Sequence, residues 1–69
     1  MPKNTQAKTL GQRLRLARQA AKLTQAELAK KAKTSQDYVS DLERDKSSPG
    51  VGVLARLAAA CRVSVADLV

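Results

Sequence analysis

Histidine, tryptophan and phenylalanine are missing from this 69-residue chain, and Tyr38 is its one aromatic residue. Leu, Ala, Lys, Arg and Gln dominate instead, and these residues favour helices, whereas aromatic residues favour strands. The composition therefore predicts an all-α fold. Cys61 is the one cysteine, so no intramolecular disulfide can form, and without histidine a zinc site has almost no ligands to draw on.

Patterns typical of catalysis and of membrane insertion are also missing. No carboxylate pair, nucleophile motif or glycine-rich phosphate loop stands out, so we expect no enzymatic activity, no metal and no cofactor. No stretch approaches the roughly 20 apolar residues of a membrane span. The N-terminus, MPKNTQAK, also lacks the hydrophobic run of a signal peptide. We expect a cytoplasmic protein without membrane contact.

Positive charge is in clear excess, with a formal net charge of +7. A small domain with this charge favours a polyanionic partner, because binding releases counterions. Nucleic acid is the first candidate and an anionic membrane surface is the second. The alternative is that the charge only keeps a small protein in solution.

Apolar residues recur at helical spacing in five segments. Thr24 with Glu27, and Ser64 with Asp67, have the spacing of a capping box, and Thr34 or Ser35 can cap the third helix. The helices are predicted to begin at Leu10, after Thr24, after Thr34-Ser35, at Val53 and after Ser64. Their inward side chains are predicted to be Leu10, Leu14, Ala17, Ala21, Leu28, Ala29, Ala32, Val39, Leu42, Leu54, Leu57, Ala58, Cys61, Val65 and Leu68.

Two regions follow from this pattern. Residues 1–9 are polar and carry Lys3 and Lys8, and we interpret them as a flexible basic arm that either contacts DNA or is a featureless tail. Residues 10–69 hold all five predicted helices and form one domain.

Five pieces, taken in order, resemble a known family: LGQRLRLAR, LTQAELAKKA, SQDYVSDLER, the loop with Pro49, and LARLAAACRVSVADL. Together they are similar to the helix-turn-helix domain of the Cro/lambda-repressor type, also called XRE, over about residues 10 to 68. The resemblance implies a compact five-helix bundle that binds double-stranded DNA and regulates transcription, as a repressor. It also implies a homodimer on a palindromic operator, with a recognition helix at about residues 36–44 in the major groove. A protein of this type is associated with the nucleoid when it is bound to DNA.

The resemblance also implies roles for individual residues. The base-reading positions are Gln36, Asp37, Ser40 and Asp41. The phosphate-contacting positions are Gln25, Lys33, Ser35, Tyr38, Arg44, Lys46, Ser47 and Ser48. Arg18 and Glu43 match a partly buried ion pair that joins the first helix to the third.

The chemistry of the base-reading residues leaves alternatives open. The amide of Gln36 matches the N6 and N7 edge of adenine, but it could also bind water or phosphate. Asp41 could accept from cytosine N4, or it could only solvate the helix, and we favour a capping role for Asp37. Residues 34–48 carry four carboxylates against two cations, a net charge of −2, so the attraction to DNA must come from outside this segment.

The sequence departs from the family at four turns, where glycine is usual. Lys22, Lys33, Asp45 and Arg62 occupy these places. A left-handed conformation costs a residue with a Cβ about 1 kcal/mol or more. Either the turns are rebuilt or the strain is tolerated.

Two further functions compete with DNA regulation. One is a protein-interaction module, such as the antitoxin of a toxin–antitoxin pair that also regulates itself through DNA binding. The other is a basic helix on a membrane surface, which the alanine-rich apolar face of the first helix makes less suitable. The surface for homodimer formation is predicted among Leu16, Val53, Val65, Leu68 and Val69.

Overall fold

The computed structural model describes residues 7–69, which contain four α-helices and one short 3₁₀ helix. The helices are α1 (Leu10–Ala20), α2 (Gln25–Lys31), α3 (Gln36–Glu43) and α4 (Val51–Cys61), and the 3₁₀ helix is Val65–Asp67. The described part of the chain has no strand, so the all-α prediction is confirmed. The predicted fifth helix is wrong as an α-helix, because its capping box at Ser64 and Asp67 encloses a single turn.

Local capping explains where most helices begin. The Thr9 side chain accepts a hydrogen bond from the backbone N–H of Gln12 at the start of α1. Thr24 and Glu27 form the predicted capping box of α2. Ser35, rather than Thr34, caps α3 by accepting from the Tyr38 amide. No side chain caps α4, which follows Gly50 and begins at Val51, two residues before the predicted start. Caps of this kind satisfy backbone donors that have no partner within the helix.

All four helices and the 3₁₀ helix enclose one core. Its buried members are Leu14, Leu28, Ala29, Ala32, Val39, Leu42, Leu57, Ala58, Cys61 and Leu68. Ala17 and Leu54 pack against it and are partly buried, and Leu10 and Ala21 are also only partly buried. The core is therefore close to the predicted set.

Val65 and Leu68 differ from their predictions. Val65 is 39% exposed, whereas it was predicted to be buried. A single turn inserts one large side chain, Leu68, into a core that the four helices already enclose. Leu68 is fully buried, so it cannot belong to a surface for homodimer formation.

Cys61 is buried in the core, as predicted for a small apolar side chain. Burial raises the pKa of its thiol, the nearby Glu43 carboxylate raises that pKa further, and Arg18 lowers it. A raised pKa keeps the thiol protonated near neutral pH and removes the thiolate needed for nucleophilic attack. Cys61 is therefore a packing residue.

The four glycine-free turns keep the left-handed backbone, with φ near 60° at Lys22, Lys33, Asp45 and Arg62. After each one, the next residue donates its amide to the carbonyl five residues earlier. These bonds run from Leu23 to Arg18, Thr34 to Ala29, Lys46 to Asp41 and Val63 to Ala58. This is the Schellman arrangement that usually favours glycine. The turns are therefore not rebuilt, and the chain tolerates about 1 kcal/mol of strain at each.

Candidate nucleic-acid interface

The unit formed by α2 and α3 has the geometry of a helix-turn-helix. The two helices are joined by residues 32–35, a short turn that contains the left-handed Lys33. Arg56 of α4 donates through Nε to the Ala32 carbonyl at 2.8 Å. This bond satisfies a carbonyl at the C-terminal end of α2 and ties the turn to α4.

A buried polar network fixes α3 against α1 and α2. Arg18 donates to both carboxylate oxygens of Glu43, through Nε at 2.6 Å and through Nη2 at 3.1 Å, and its Nη1 donates to the Leu23 carbonyl at 2.9 Å. The residue Glu43 is 8% exposed. The predicted ion pair is therefore present, with the bidentate geometry that suits guanidinium and carboxylate.

Gln25 joins this network from the first turn of α2. Its amide Nε2 donates to Glu43 Oε1 at 3.1 Å. A glutamine amide has a second hydrogen and a carbonyl oxygen, so this bond leaves it further hydrogen-bonding capacity. Gln25 was predicted to contact phosphate, and the structure adds a bond that orients its side chain.

Asp45 forms a second connection between α3 and α1, which sequence reasoning missed. Thr9 Oγ1 donates to Asp45 Oδ2 at 2.7 Å, and the Gly11 amide donates to Asp45 Oδ1 at 3.0 Å. A carboxylate at a helix N-terminus complements the helix dipole. The bonded residues are 34 and 36 positions apart, so no local spacing reveals the contact. The one signal was a carboxylate at a turn where glycine is usual.

Gly11 allows α1 to approach the end of α3 closely. A Cβ on Gly11 would clash with the Leu42 carbonyl oxygen and lie 2.6 Å from Asp45 Oδ1. Glycine is therefore required here by close packing of two backbones rather than by a special φ.

The outer face of α3 carries the four residues predicted to read bases. Gln36 and Asp37 are exposed, and Ser40 and Asp41 are half-buried. Asp41 Oδ1 accepts from Arg44 Nη2 at 2.9 Å, and Arg44 Nε also donates to the Ser40 carbonyl at 3.4 Å. The face thus presents an amide, a hydroxyl and a paired carboxylate and guanidinium.

These contacts account for most of the negative charge near α3. Glu43 pairs with Arg18, Asp45 caps α1 and Asp41 pairs with Arg44. Asp37 lies in the first turn of α3, where a carboxylate complements the dipole. Three of the four carboxylates therefore have positively charged or amide partners, which reduces the repulsion that an approaching phosphate would meet.

Most of the predicted phosphate-contacting residues flank α3, whereas Tyr38 lies within it and Gln25 begins α2. Lys33, Ser35, Arg44, Lys46 and Ser48 are exposed, and Gln25, Tyr38 and Ser47 are half-buried. Ser35 Oγ is engaged as the cap of α3. Tyr38 Oη donates to the Ser48 carbonyl at 3.2 Å, which ties the loop after α3 to the helix.

Among residues 7–69, no group of three or more His, Cys, Asp or Glu side chains is placed to hold a metal ion. No described helix is long and apolar enough to cross a membrane.

Comparison with known proteins places this arrangement among helix-turn-helix regulators. The model of the family described as Helix-turn-helix matches residues 14–68, and the chain belongs to this family. The immunity repressor protein of Bacillus phage phi105 is 41% identical over 61 residues, which cover 88% of this chain. The chain spans 42% of that repressor, which is less than half of its length.

Solved structures agree with the family assignment. The P22 c2 repressor in complex with a synthetic operator has a TM-score of 0.86 at 30% identity, over 91% of this chain and 96% of its own. The biofilm regulator SinR in complex with DNA has a TM-score of 0.82 at 33% identity, over 87% of this chain and 97% of its own. These relatives are repressors or regulators rather than enzymes, as expected from the sequence. Residues 7–69 have a fold of the lambda-repressor type with four α-helices.

Proposed function

We propose that this domain binds double-stranded DNA in a sequence-specific manner and represses transcription, with α3 in the major groove. The observation that carries the proposal is the network of Arg18, Glu43 and Gln25, because it joins α3 to α1 and α2 while the outer face of α3 stays at least partly exposed. The operator complex of P22 c2 and the DNA complex of SinR support the same use of the fold.

Base recognition is assigned to Gln36, Asp37, Ser40 and Asp41. Gln36 is exposed at the first position of α3, where its amide can donate to and accept from an adenine edge. Asp41 can accept from cytosine N4 while Arg44 holds the carboxylate in place. Asp37 contributes mainly through the helix dipole.

Phosphate binding is assigned to residues around α3. The set is Gln25, Lys33, Ser35, Tyr38, Arg44, Lys46, Ser47 and Ser48. Their cations supply attraction that does not depend on sequence, and their hydroxyl and amide groups fix the register of the protein on the duplex.

The domain is proposed to act as a homodimer on a palindromic operator, with half-sites about 34 Å apart. Val65 and Val69, which are 39% and 62% exposed, remain suitable for a dimer surface. Val53 is partly buried against the core, and Leu16 lines a groove between α1 and α4. The DNA-binding domain is proposed to span residues 10–69, preceded by a basic arm at residues 1–9. Ala7 is buried and the Lys8 amide donates to Gln12 Oε1 at 2.7 Å, and residues 1–6 of the arm lie outside the described residues.

The test is selection of bound sequences from a pool of random duplexes. We expect enrichment of a two-fold symmetric site with half-sites about one helical turn apart. Gln36→Ala should relax the preference at one position in each half-site, and Gln19→Ala, an exposed glutamine on α1, should leave the selected site unchanged. A pool without enrichment would contradict the proposal.

A protein partner is the second candidate function, including the antitoxin role. The observation in its favour is the complex of SinR with SinI, one chain of which is 32% identical to this chain with a TM-score of 0.83. Co-expression with neighbouring reading frames tests the antitoxin role, which requires a stable complex with a toxin.

A further inference from the structure

An open groove of about 980 Å³ lies between the C-terminal ends of α1 and α4. We call it the α1–α4 groove. Its apolar lining consists of Leu16, Ala17, Ala20, Ala21, Leu23, Ala60, Cys61 and Val63. Leu16 is 36% exposed on one side. Such a surface buries apolar area when a partner covers it.

The rim of the α1–α4 groove is positively charged. Lys22, Lys31 and Arg62 line it and are exposed, and Asp67 is the one acidic residue of the lining. Lys22 and Arg62 also hold the left-handed φ of two of the helix-ending turns. At these two positions a cation replaces the glycine that would relieve the strain, which places positive charge on both sides of the groove.

The α1–α4 groove is separate from the proposed DNA surface. None of the residues assigned to bases or phosphates lines it. DNA itself is a poor occupant, because the lining is largely aliphatic and the chain has a single aromatic residue, half-buried Tyr38 of α3, on which a base could stack.

We propose that the α1–α4 groove binds an acidic amphipathic helix of a partner protein. Leucine-like side chains spaced three and four residues apart would enter the aliphatic lining, and carboxylates beside them would face Lys22, Lys31 and Arg62. This is the helix-in-groove mode of recognition combined with charge complementarity. The occupant is a regulatory partner, which binds the domain at a surface separate from the one proposed for DNA.

A second copy of this chain is a poorer occupant. Each copy has a net charge of +7, so pairing through the groove brings like charges together. A partner helix with glutamates at its flanks removes that repulsion and adds attraction.

The experiment titrates the protein with two synthetic helices of about 12 residues, or about 18 Å. One carries leucines on one face and glutamates on the other positions, and the second carries lysines in place of the glutamates. Fluorescence anisotropy reports affinity, and amide chemical shifts report the location. We expect the acidic helix to bind, with shifts at Leu16, Ala60 and Val63, and the basic helix to bind at least about tenfold more weakly.

Two charge reversals on α2 form a matched pair. Lys30 and Lys31 are both exposed in its last turn, but only Lys31 lines the groove. Lys31→Glu should weaken binding of the acidic helix about tenfold, while Lys30→Glu should change it little. Circular dichroism confirms that both variants fold.

Three results would overturn the proposal. They are no binding of the acidic helix at about 1 mM, equal effects of the two lysine variants, and a homodimer in sedimentation that Leu16→Asp dissociates. The last result would assign the groove to a second copy. None of these outcomes affects the selection of duplex DNA, so failure here is distinguishable from failure of the DNA-binding proposal.

Discussion

Asp45 combines an unfavourable backbone with favourable side-chain contacts. Its φ is 60°, as at Lys22, but its carboxylate also accepts from Thr9 and Gly11. Lys22→Gly should raise the free energy of unfolding by about 0.5–1 kcal/mol, because it only relieves the left-handed strain. Asp45→Gly should lower it by about 1–2 kcal/mol, because the lost hydrogen bonds outweigh the same relief.

Urea denaturation of the two glycine variants measures the difference, and Asp45→Asn is the control that keeps an acceptor and tolerates a left-handed φ. Its stability should lie between that of the wild type and that of Asp45→Gly. If Asp45→Gly were as stabilising as Lys22→Gly, the connection between α1 and α3 would contribute nothing.

Glu43 and Asp41 are both paired with arginine, but their surroundings differ. The Glu43 side chain is 4% exposed, and the Asp41 side chain is 40% exposed. Glu43→Ala leaves Arg18 buried without its partner, so we expect a loss of about 3 kcal/mol or more. Asp41→Ala removes a surface pair and should cost less than about 1 kcal/mol. Thermal melting measures the difference. Equal melting midpoints for the two variants would show that the buried pair contributes no more to stability than the surface pair.

At the scale of elements, the distance between α1 and α3 depends on Gly11. Gly11→Ala places a Cβ against the Leu42 carbonyl and the Asp45 carboxylate, so the helices must separate. We expect a loss of about 1–3 kcal/mol. Gly52→Ala in α4 is the control, because the nearest atom to its Cβ is an Arg56 nitrogen at 3.6 Å, and it should stabilise by about 0.5–1 kcal/mol. Differential scanning calorimetry measures both, and a neutral Gly11→Ala would contradict the close contact.

Helix starts could be predicted from the sequence wherever the cap is local. The capping box of Thr24 and Glu27 is predicted by the spacing of the two residues and is present in the structure. The start of α4 was misplaced because Gly50 offers no side-chain cap. Asp45, which caps α1 from a distant part of the chain, could not be found by spacing because its partners are brought together only by the fold.

The site shows the same division between local and tertiary information. The outward face of α3 follows from helical periodicity, and the ion pair of Arg18 and Glu43 followed from family resemblance. The pairing of Asp41 with Arg44 lies within one helical turn, so it is a contact that sequence spacing can predict. The bond from Gln25 to Glu43 depends on the packing of α2 against α3, which no local pattern encodes.

At the scale of the whole molecule, charge and recognition are divided between regions. The chain has 13 Lys and Arg against six Asp and Glu, yet residues 34–48 are acidic overall. Carboxylates in that segment mainly hold α3 in place, as Glu43 and Asp45 do. Under the proposed function, affinity for DNA comes from cations around α3, and specificity comes from its outer face.

This division predicts different salt dependence for two single variants. Affinity for the selected operator should fall linearly in a plot of log K against log salt concentration, with a slope of about −0.9 for each phosphate neutralised. Lys46→Ala should make that slope shallower by about 1 and weaken binding to all sequences alike. Gln36→Ala should leave the slope unchanged and reduce only the preference for the operator over random duplex, since an uncharged amide releases no counterions. Fluorescence anisotropy between about 50 and 200 mM salt measures both effects, and a slope altered by Gln36→Ala but not by Lys46→Ala would reverse the assigned roles.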